Sequence, residues 1–163
     1  MTTKQFLPLP YGKDVYSELK GNGCYFVDKT PYLKELIDKD KSNVMLFTRP
    51  RRFGKTLFMS MVEYFLKINS ANPGDTILQQ KLFKDTKILE DREFCAKYMG
   101  QHPVISLTLK GVQGKTFKAA YYKLAELIVA KANEYSFLKD SQNLNDKEKA
   151  KFDLLCDEMY LKR

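Results

Sequence analysis

Gly54, Lys55 and Thr56 follow a basic turn, Arg49-Pro50-Arg51-Arg52-Phe53, and open a run of apolar residues at helical spacing. Residues of these types, in this order, can hold a phosphate chain. Backbone N–H groups at a helix N-terminus face an oxyanion, and a glycine lets the chain wrap closely around it. A lysine neutralises the outer phosphates, and a Ser or Thr hydroxyl at the helix start helps to hold Mg²⁺. Gly54 is the wrapping glycine, Lys55 the lysine and Thr56 the hydroxyl. The general phosphate-loop pattern has a further glycine five positions before Gly54, where this chain has Arg49, followed by Pro50. The loop entry therefore lacks glycine's φ freedom and is stiffened by proline. Arg51 and Arg52 add charge beside the phosphates, or point away to contact a partner.

A second Gly-Lys-Thr, Gly114-Lys115-Thr116, also lies between an apolar run and a helical pattern. The residue five before Gly114 is Leu109, the end of that apolar run, which leaves a tight loop and marks this copy as a decoy. Hydrolysis also calls for an acid at the end of a neighbouring strand. The one tempting match, Leu154-Leu155-Cys156-Asp157-Glu158, is flanked by helical periodicity (Phe152, Leu155, Cys156, Met159) and reads as helix. His102, the only histidine, has no nucleophile paired with it by motif and reads as structural. Cys24, Cys95 and Cys156 show no metal-ligand spacing, so the reading is reduced, buried thiols and no zinc site.

The elements that must position the loop are two strands and a set of helices. Val44-Met45-Leu46-Phe47 is a continuous apolar run of strand length, as in a parallel strand covered on both faces. After the basic turn, Leu57, Phe58, Met61, Val62, Phe65 and Leu66 fall on one helical face. Pro103-Val104-Ile105-Ser106-Leu107-Thr108-Leu109 is the second strand, rich in β-branched residues, and closes a right-handed βαβ unit. Residues 1–23, with Pro8, Pro10, Gly12, Gly21 and Gly23, read as an extended arm with turns. Further helices are expected from Thr30-Pro31 to about 38, at 77–83, at 91–99 closed by Gly100, at 116–135, and from the Asn145 cap onward.

Composition narrows the partners. At 163 residues the chain suits one domain with a core of its own. No run reaches the roughly 18 apolar residues of a membrane span, and the N-terminus shows no apolar secretory core, so a cytoplasmic protein without a membrane partner is expected. A net charge of +8 favours anionic partners: nucleotide, nucleic acid or acidic protein. The lysines are scattered, however, and only Arg49, Arg51, Arg52 and Lys55 form a tight cluster, which a phosphate loop explains without DNA.

The run Leu46-Phe47-Thr48-Arg49-Pro50-Arg51-Arg52-Phe53-Gly54-Lys55-Thr56-Leu57 resembles the predicted AAA-ATPase-like proteins of bacteria, whose phosphate loop carries this Arg-Pro-Arg-Arg-Phe-Gly-Lys-Thr spelling. Phe26-Val27-Asp28-Lys29-Thr30, Leu82-Phe83, Tyr98 and Pro103-Val104-Ile105-Ser106-Leu107 are similar to flanking landmarks of that family. The resemblance implies an α/β fold, a P-loop NTPase-like parallel sheet flanked by helices, incomplete here because the acidic Walker B strand follows the region in view. It implies ATP and Mg²⁺ as cofactors. Arg49, Pro50, Arg51, Arg52, Phe53 and Gly54 would wrap the nucleotide, Lys55 would bind phosphate and Thr56 would bind Mg²⁺. Residues 1–163 are then a partial ATPase domain, and nucleic acid is a partner through a covalently linked PD-(D/E)XK nuclease-like domain of the parent. Two other functions stay open: a basic nucleic-acid-binding domain using Arg49, Arg51 and Arg52, and a pseudo-ATPase scaffold whose loop binds a partner without turnover.

Overall fold

The computed structural model describes residues 6–37, 44, 46, 48 and 50–157. The described residues form helices joined by turns and irregular segments: α1 (Tyr16–Gly21), α2 (Tyr32–Ile37), α3 (Lys55–Leu66), α4 (Ile77–Leu82), α5 (Arg92–Tyr98), α6 (Phe117–Glu134) and α7 (Asp146–Cys156). Two 3₁₀ turns lie at Lys87–Glu90 and Ser136–Asp140. The chain divides into two compact units, Met1–Val104 and Ile105–Arg163. Among the described residues, no helix is long and apolar enough to cross a membrane.

The first unit is a helical cluster around aromatic rings. α3 buries Met61 and Phe65, four apart and therefore on one face. Phe65 meets Phe83 edge-on at 5.3 Å between centroids and stacks on Phe94 of α5 at 5.8 Å. Tyr16 of α1 is fully buried, 4.9 Å from the Phe83 ring and 5.5 Å from the Phe26 ring. Its polar groups are satisfied at long range: the backbone N–H donates to Ser60 Oγ at 2.9 Å, and the hydroxyl donates to the Leu82 carbonyl at 3.3 Å. These bonds tie α1 to α3 and α4, so a buried tyrosine does not leave unpaired donors. After α5, Gly100 takes a left-handed φ of 68° and turns the chain back along the end of α3. His102 N–H donates to the Leu66 carbonyl at 2.9 Å, and the Ile68 N–H donates to the His102 carbonyl at 2.8 Å. In the second unit, α7 packs on α6 and on the 3₁₀ turn, with Ala125, Val129 and Tyr135 buried.

The expected parallel sheet is not found. Among the described residues there is no strand, and the isolated parallel bridge Lys67–His102 is the extent of β pairing. Val44 and Leu46, from the first expected strand, are 80% and 86% exposed, while Met45 and Phe47 lie outside the described residues. Ile105, Leu107 and Leu109 of the second expected strand are also exposed and join no ladder. The P-loop NTPase-like fold class and its right-handed βαβ unit are therefore corrected to a helical arrangement. The physical reason is that β preference is contextual. Branched residues favour extended backbone, but a strand needs a neighbour to take its N–H and C=O groups. A second correction concerns the N-terminal arm. Residues 6–15 do run as turns and irregular chain, but the next six form α1, with Tyr16 and Leu19 in the core. The helices expected at α2 to α7 are present, but the last ends at Cys156 with Asp157 as its extended C-cap and buries none of Phe152, Leu155 and Cys156, while Glu158 and Met159 lie outside the described residues.

Candidate functional site

The basic turn leads into α3 through Gly54, its N-cap, at φ 73° and ψ 24°. An added Cβ on Gly54 would meet nothing within 4 Å, so the left-handed backbone is what requires glycine, and the space beside it is open. Two residues earlier Arg52 also has a positive φ, 67°. A left-handed arginine costs about 1–2 kcal/mol, and residues held that way concentrate at functional sites.

The start of α3 differs from that of the other long helices. Thr116 caps α6 by accepting from the Ala119 N–H at 3.2 Å. Asn145 caps α7 in a reciprocal box with Glu148. The α3 cap has no side chain, and no acid stands in the first turn. The first helical bond runs from the Phe58 N–H to the Gly54 carbonyl at 2.9 Å, so the N–H groups of Lys55, Thr56 and Leu57 precede the ladder. They carry the positive end of the helix dipole, where an anion is favoured.

Cations surround this end. Lys55 folds back, its Nζ donating to the Pro50 carbonyl at 3.1 Å. Arg51 and Arg52 are exposed and, among the described residues, join no ion pair. Thr56 is exposed at the second position of the helix. Pro50, Arg51, Arg52, Phe53, Gly54, Lys55 and Thr56 are thus continuous at one helix end, while Arg49 lies outside the described residues. Among the described residues no cluster of three or more His, Cys, Asp or Glu could hold a metal. Thr56 would meet Mg²⁺ only as one ligand to an ion carried mainly by phosphate and water oxygens.

At the second Gly-Lys-Thr the Cβ side of the glycine is crowded by the following helix. A Cβ on Gly114 would lie 2.7 Å from Ala119 Cβ and 2.9 Å from the Ala120 nitrogen. The Thr116 hydroxyl is already used as the α6 cap. Glycine is needed there for close backbone approach.

Beside the α3 loop is a cleft of about 320 Å³. Buried Leu19 and Met61 are among its apolar lining, with half-buried Phe26 and Leu57. Exposed Tyr25, Lys29, Arg52 and Phe53 also line it, together with Gly54. Sequence reading assigned nothing to Tyr25 and left Lys29 open. Their proximity to the loop depends on tertiary packing, for which the local pattern carries no signal.

Asp28, in the same segment, is structural. Its Oδ1 accepts from the Thr30 N–H at 2.9 Å and from the Thr30 hydroxyl at 2.7 Å, and its Oδ2 accepts from the Lys87 N–H at 2.8 Å. Burial alone would raise its pKa, but these hydrogen bonds and the Lys87 charge outweigh it and hold the carboxyl below its ordinary value. Asp91 is likewise occupied. It pairs with Lys34 and caps α5 through the Phe94 N–H, and these contacts lower its pKa.

A family model described as Predicted AAA-ATPase matches residues 10–163. A protein of Azotobacter chroococcum mcd 1, described as an uncharacterized protein in the vnfD 5' region, is 26% identical over 121 residues. That similarity covers 74% of this chain and 20% of the relative, so the chain spans about a fifth of that protein's length. No solved structure matches the chain.

Proposed function

The chain belongs to the Predicted AAA-ATPase family, and from that premise we propose that the loop at residues 50–56 binds the phosphates of a nucleoside triphosphate, ATP with Mg²⁺. The observation that carries the reading is the start of α3. It has a left-handed glycine cap with open space beside it, no side-chain cap, no acid in the first turn, and exposed Arg51, Arg52 and Lys55 around it. An anion at that end would accept from the backbone N–H groups ahead of the helical ladder. Lys55 would leave the Pro50 carbonyl for the outer phosphates, and Thr56 would add its hydroxyl to the Mg²⁺ shell. Arg49, by its place in the loop, would join the same envelope.

The proposal is for binding. Turnover needs a group that positions the attacking water, and Asp28 and Asp91 are engaged in backbone hydrogen bonds and in pairing with Lys34. Calorimetric titration of Mg·ATP tests the site. Lys55→Ala should weaken binding at least tenfold and Lys115→Ala should leave it unchanged, and the reverse pattern would sink the assignment. Arg51 and Arg52, exposed and in no ion pair among the described residues, also fit nucleic-acid phosphates. DNA affinity that falls steeply with salt yet survives Lys55→Ala, with no nucleotide bound, would favour that second reading.

A further inference from the structure

We propose that the cleft beside the loop receives the base of the same nucleotide, a purine ring stacked against Phe53 and Tyr25. The inference rests on the phosphate-binding reading of residues 50–56 and extends it to the other end of the ligand.

The cleft and the loop share Arg52, Phe53 and Gly54. A ligand whose phosphates face the α3 N-terminus therefore has a continuous protein surface along which to extend. A volume of about 320 Å³ lies at the lower end of the range typical for small-molecule sites, roughly 300–1,000 Å³. The floor is apolar, and two large rings of the lining stand open to solvent, Tyr25 at 53% and Phe53 at 62% exposure. In the core of this unit, by contrast, aromatic rings are packed on one another, as Tyr16 is on Phe83 and Phe65 on Phe94. Open aromatic faces can stack any nucleobase, and a purine offers the larger face.

Charge points the same way. Lys29 and Arg52 are the charged residues of the lining, and no acid is among them, which suits an anionic ligand. The left-handed φ of Arg52 belongs to the residue common to loop and cleft. A second, more open cleft on this unit lacks these features. It is lined by Lys34, Lys87, Glu90, Asp91, Arg92 and Glu93, a mixture of signs without aromatic walls.

The test compares ATP with inorganic tripolyphosphate, which has the phosphates but neither base nor sugar. Both are titrated calorimetrically into the whole chain and into Phe53→Ala, Tyr25→Ala and Lys55→Ala. Phe53 and Tyr25 are half or more exposed, so their variants should keep the fold, as checked by circular dichroism. The expected result is that each ring variant weakens ATP binding by roughly five- to a hundredfold, the span of base–aromatic stacking. Tripolyphosphate binding should not change in Tyr25→Ala, which lies outside the loop, Phe53→Tyr should restore ATP affinity, and CTP should bind the native chain less tightly than ATP. Ring variants that leave ATP binding unchanged, or weaken both ligands equally, overturn the base assignment; loss of both ligands with Lys55→Ala would then leave the phosphate reading standing. If Lys55→Ala affects neither ligand, the phosphate reading fails and the base assignment with it.

Discussion

Two Gly→Ala substitutions separate the two Gly-Lys-Thr sequences, because each glycine is required for a different reason. At Gly54 the added methyl meets nothing within 4 Å, so the cost is purely conformational. Holding alanine left-handed costs about 1–2 kcal/mol, while the smaller entropy of the unfolded chain returns about 0.4–1 kcal/mol. The net loss should be about 0–1.6 kcal/mol, which for a unit the size of Met1–Val104, at about 4–8 °C per kcal/mol, lowers Tm by about 13 °C at most. At Gly114 the methyl would overlap Ala119 Cβ at 2.7 Å and the Ala120 nitrogen at 2.9 Å, and part of that obstacle is helix backbone. Overpacking of this kind costs about 1–3 kcal/mol, so Gly114→Ala should be the more destabilising change. Nucleotide binding should show the opposite order. A Cβ in the α3 loop that displaces one charge-assisted backbone hydrogen bond removes about 1.5–3 kcal/mol, roughly ten- to a hundredfold in Kd. Gly114→Ala should leave Kd unchanged. Thermal melting and Mg·ATP titration of both variants provide the check. Retained affinity in Gly54→Ala together with lost affinity in a folded Gly114→Ala would refute the reasoning at its root.

The Asp28 hydrogen bonds give a stability prediction with a pH signature. Asp28→Ala strips three acceptor contacts from Thr30 and Lys87 and should cost about 2–4 kcal/mol in a denaturant titration, given about 1.5–3 kcal/mol for a bond to a charged group and incomplete additivity. Because the folded carboxyl has its pKa below the unfolded value, its stabilisation is fully present above the ordinary carboxylate pKa and is lost as pH falls through the lowered folded value. Acid unfolding below about pH 4 should therefore be shallower in Asp28→Asn than in the native chain. Cys95 should resist alkylation at pH 8. Burial raises its pKa, the Asp91 charge adds to that, and its Sγ donates to the Ile88 carbonyl at 3.2 Å. Iodoacetamide labelling of that position, followed by mass spectrometry, should track unfolding, and rapid labelling of the native chain would contradict the packing.

How much of this was legible in the sequence depends on how local the cause is. α3 was readable because Leu57, Phe58, Met61, Val62, Phe65 and Leu66 repeat at helical spacing, and the structure buries Met61 and Phe65 from that set. The capping box at Asn145 and Glu148 was readable because it is a contact across three residues. α1 was hidden by its surroundings. It has six residues between Gly12 and Gly23, and its two core residues, Tyr16 and Leu19, are too few to make a period. The sheet failed for the opposite reason. Ile105, Leu107 and Leu109 specify an extended backbone, but pairing depends on a partner that no window of sequence contains, and the described residues supply none. In the site, the residue types of the loop were plain. The left-handed Arg52 was not, since residue type does not fix its φ, and nor was the approach of Tyr25 and Lys29, which depends on packing between segments distant in sequence.

At Arg52 the backbone conformation sets stability against binding. A left-handed arginine costs about 1–2 kcal/mol that glycine would not. Arg52→Gly relieves that strain but enlarges the unfolded ensemble by about 0.4–1 kcal/mol, so the free protein should gain up to about 1.6 kcal/mol. If the arginine serves only the turn, the substitution should simply raise Tm and leave nucleotide affinity alone. If it serves the anion, affinity should fall, by about tenfold for one charge-assisted contact. The two effects then separate in one melting experiment. Without nucleotide, Arg52→Gly should melt at or above the native chain. With ATP at one hundred times the native Kd, the native unit gains about 2.7 kcal/mol and the variant, at that same concentration, about 1.4 kcal/mol, so their order should close or invert. A variant that gains as much from ATP as the native chain would show that the strain at Arg52 has nothing to do with phosphate.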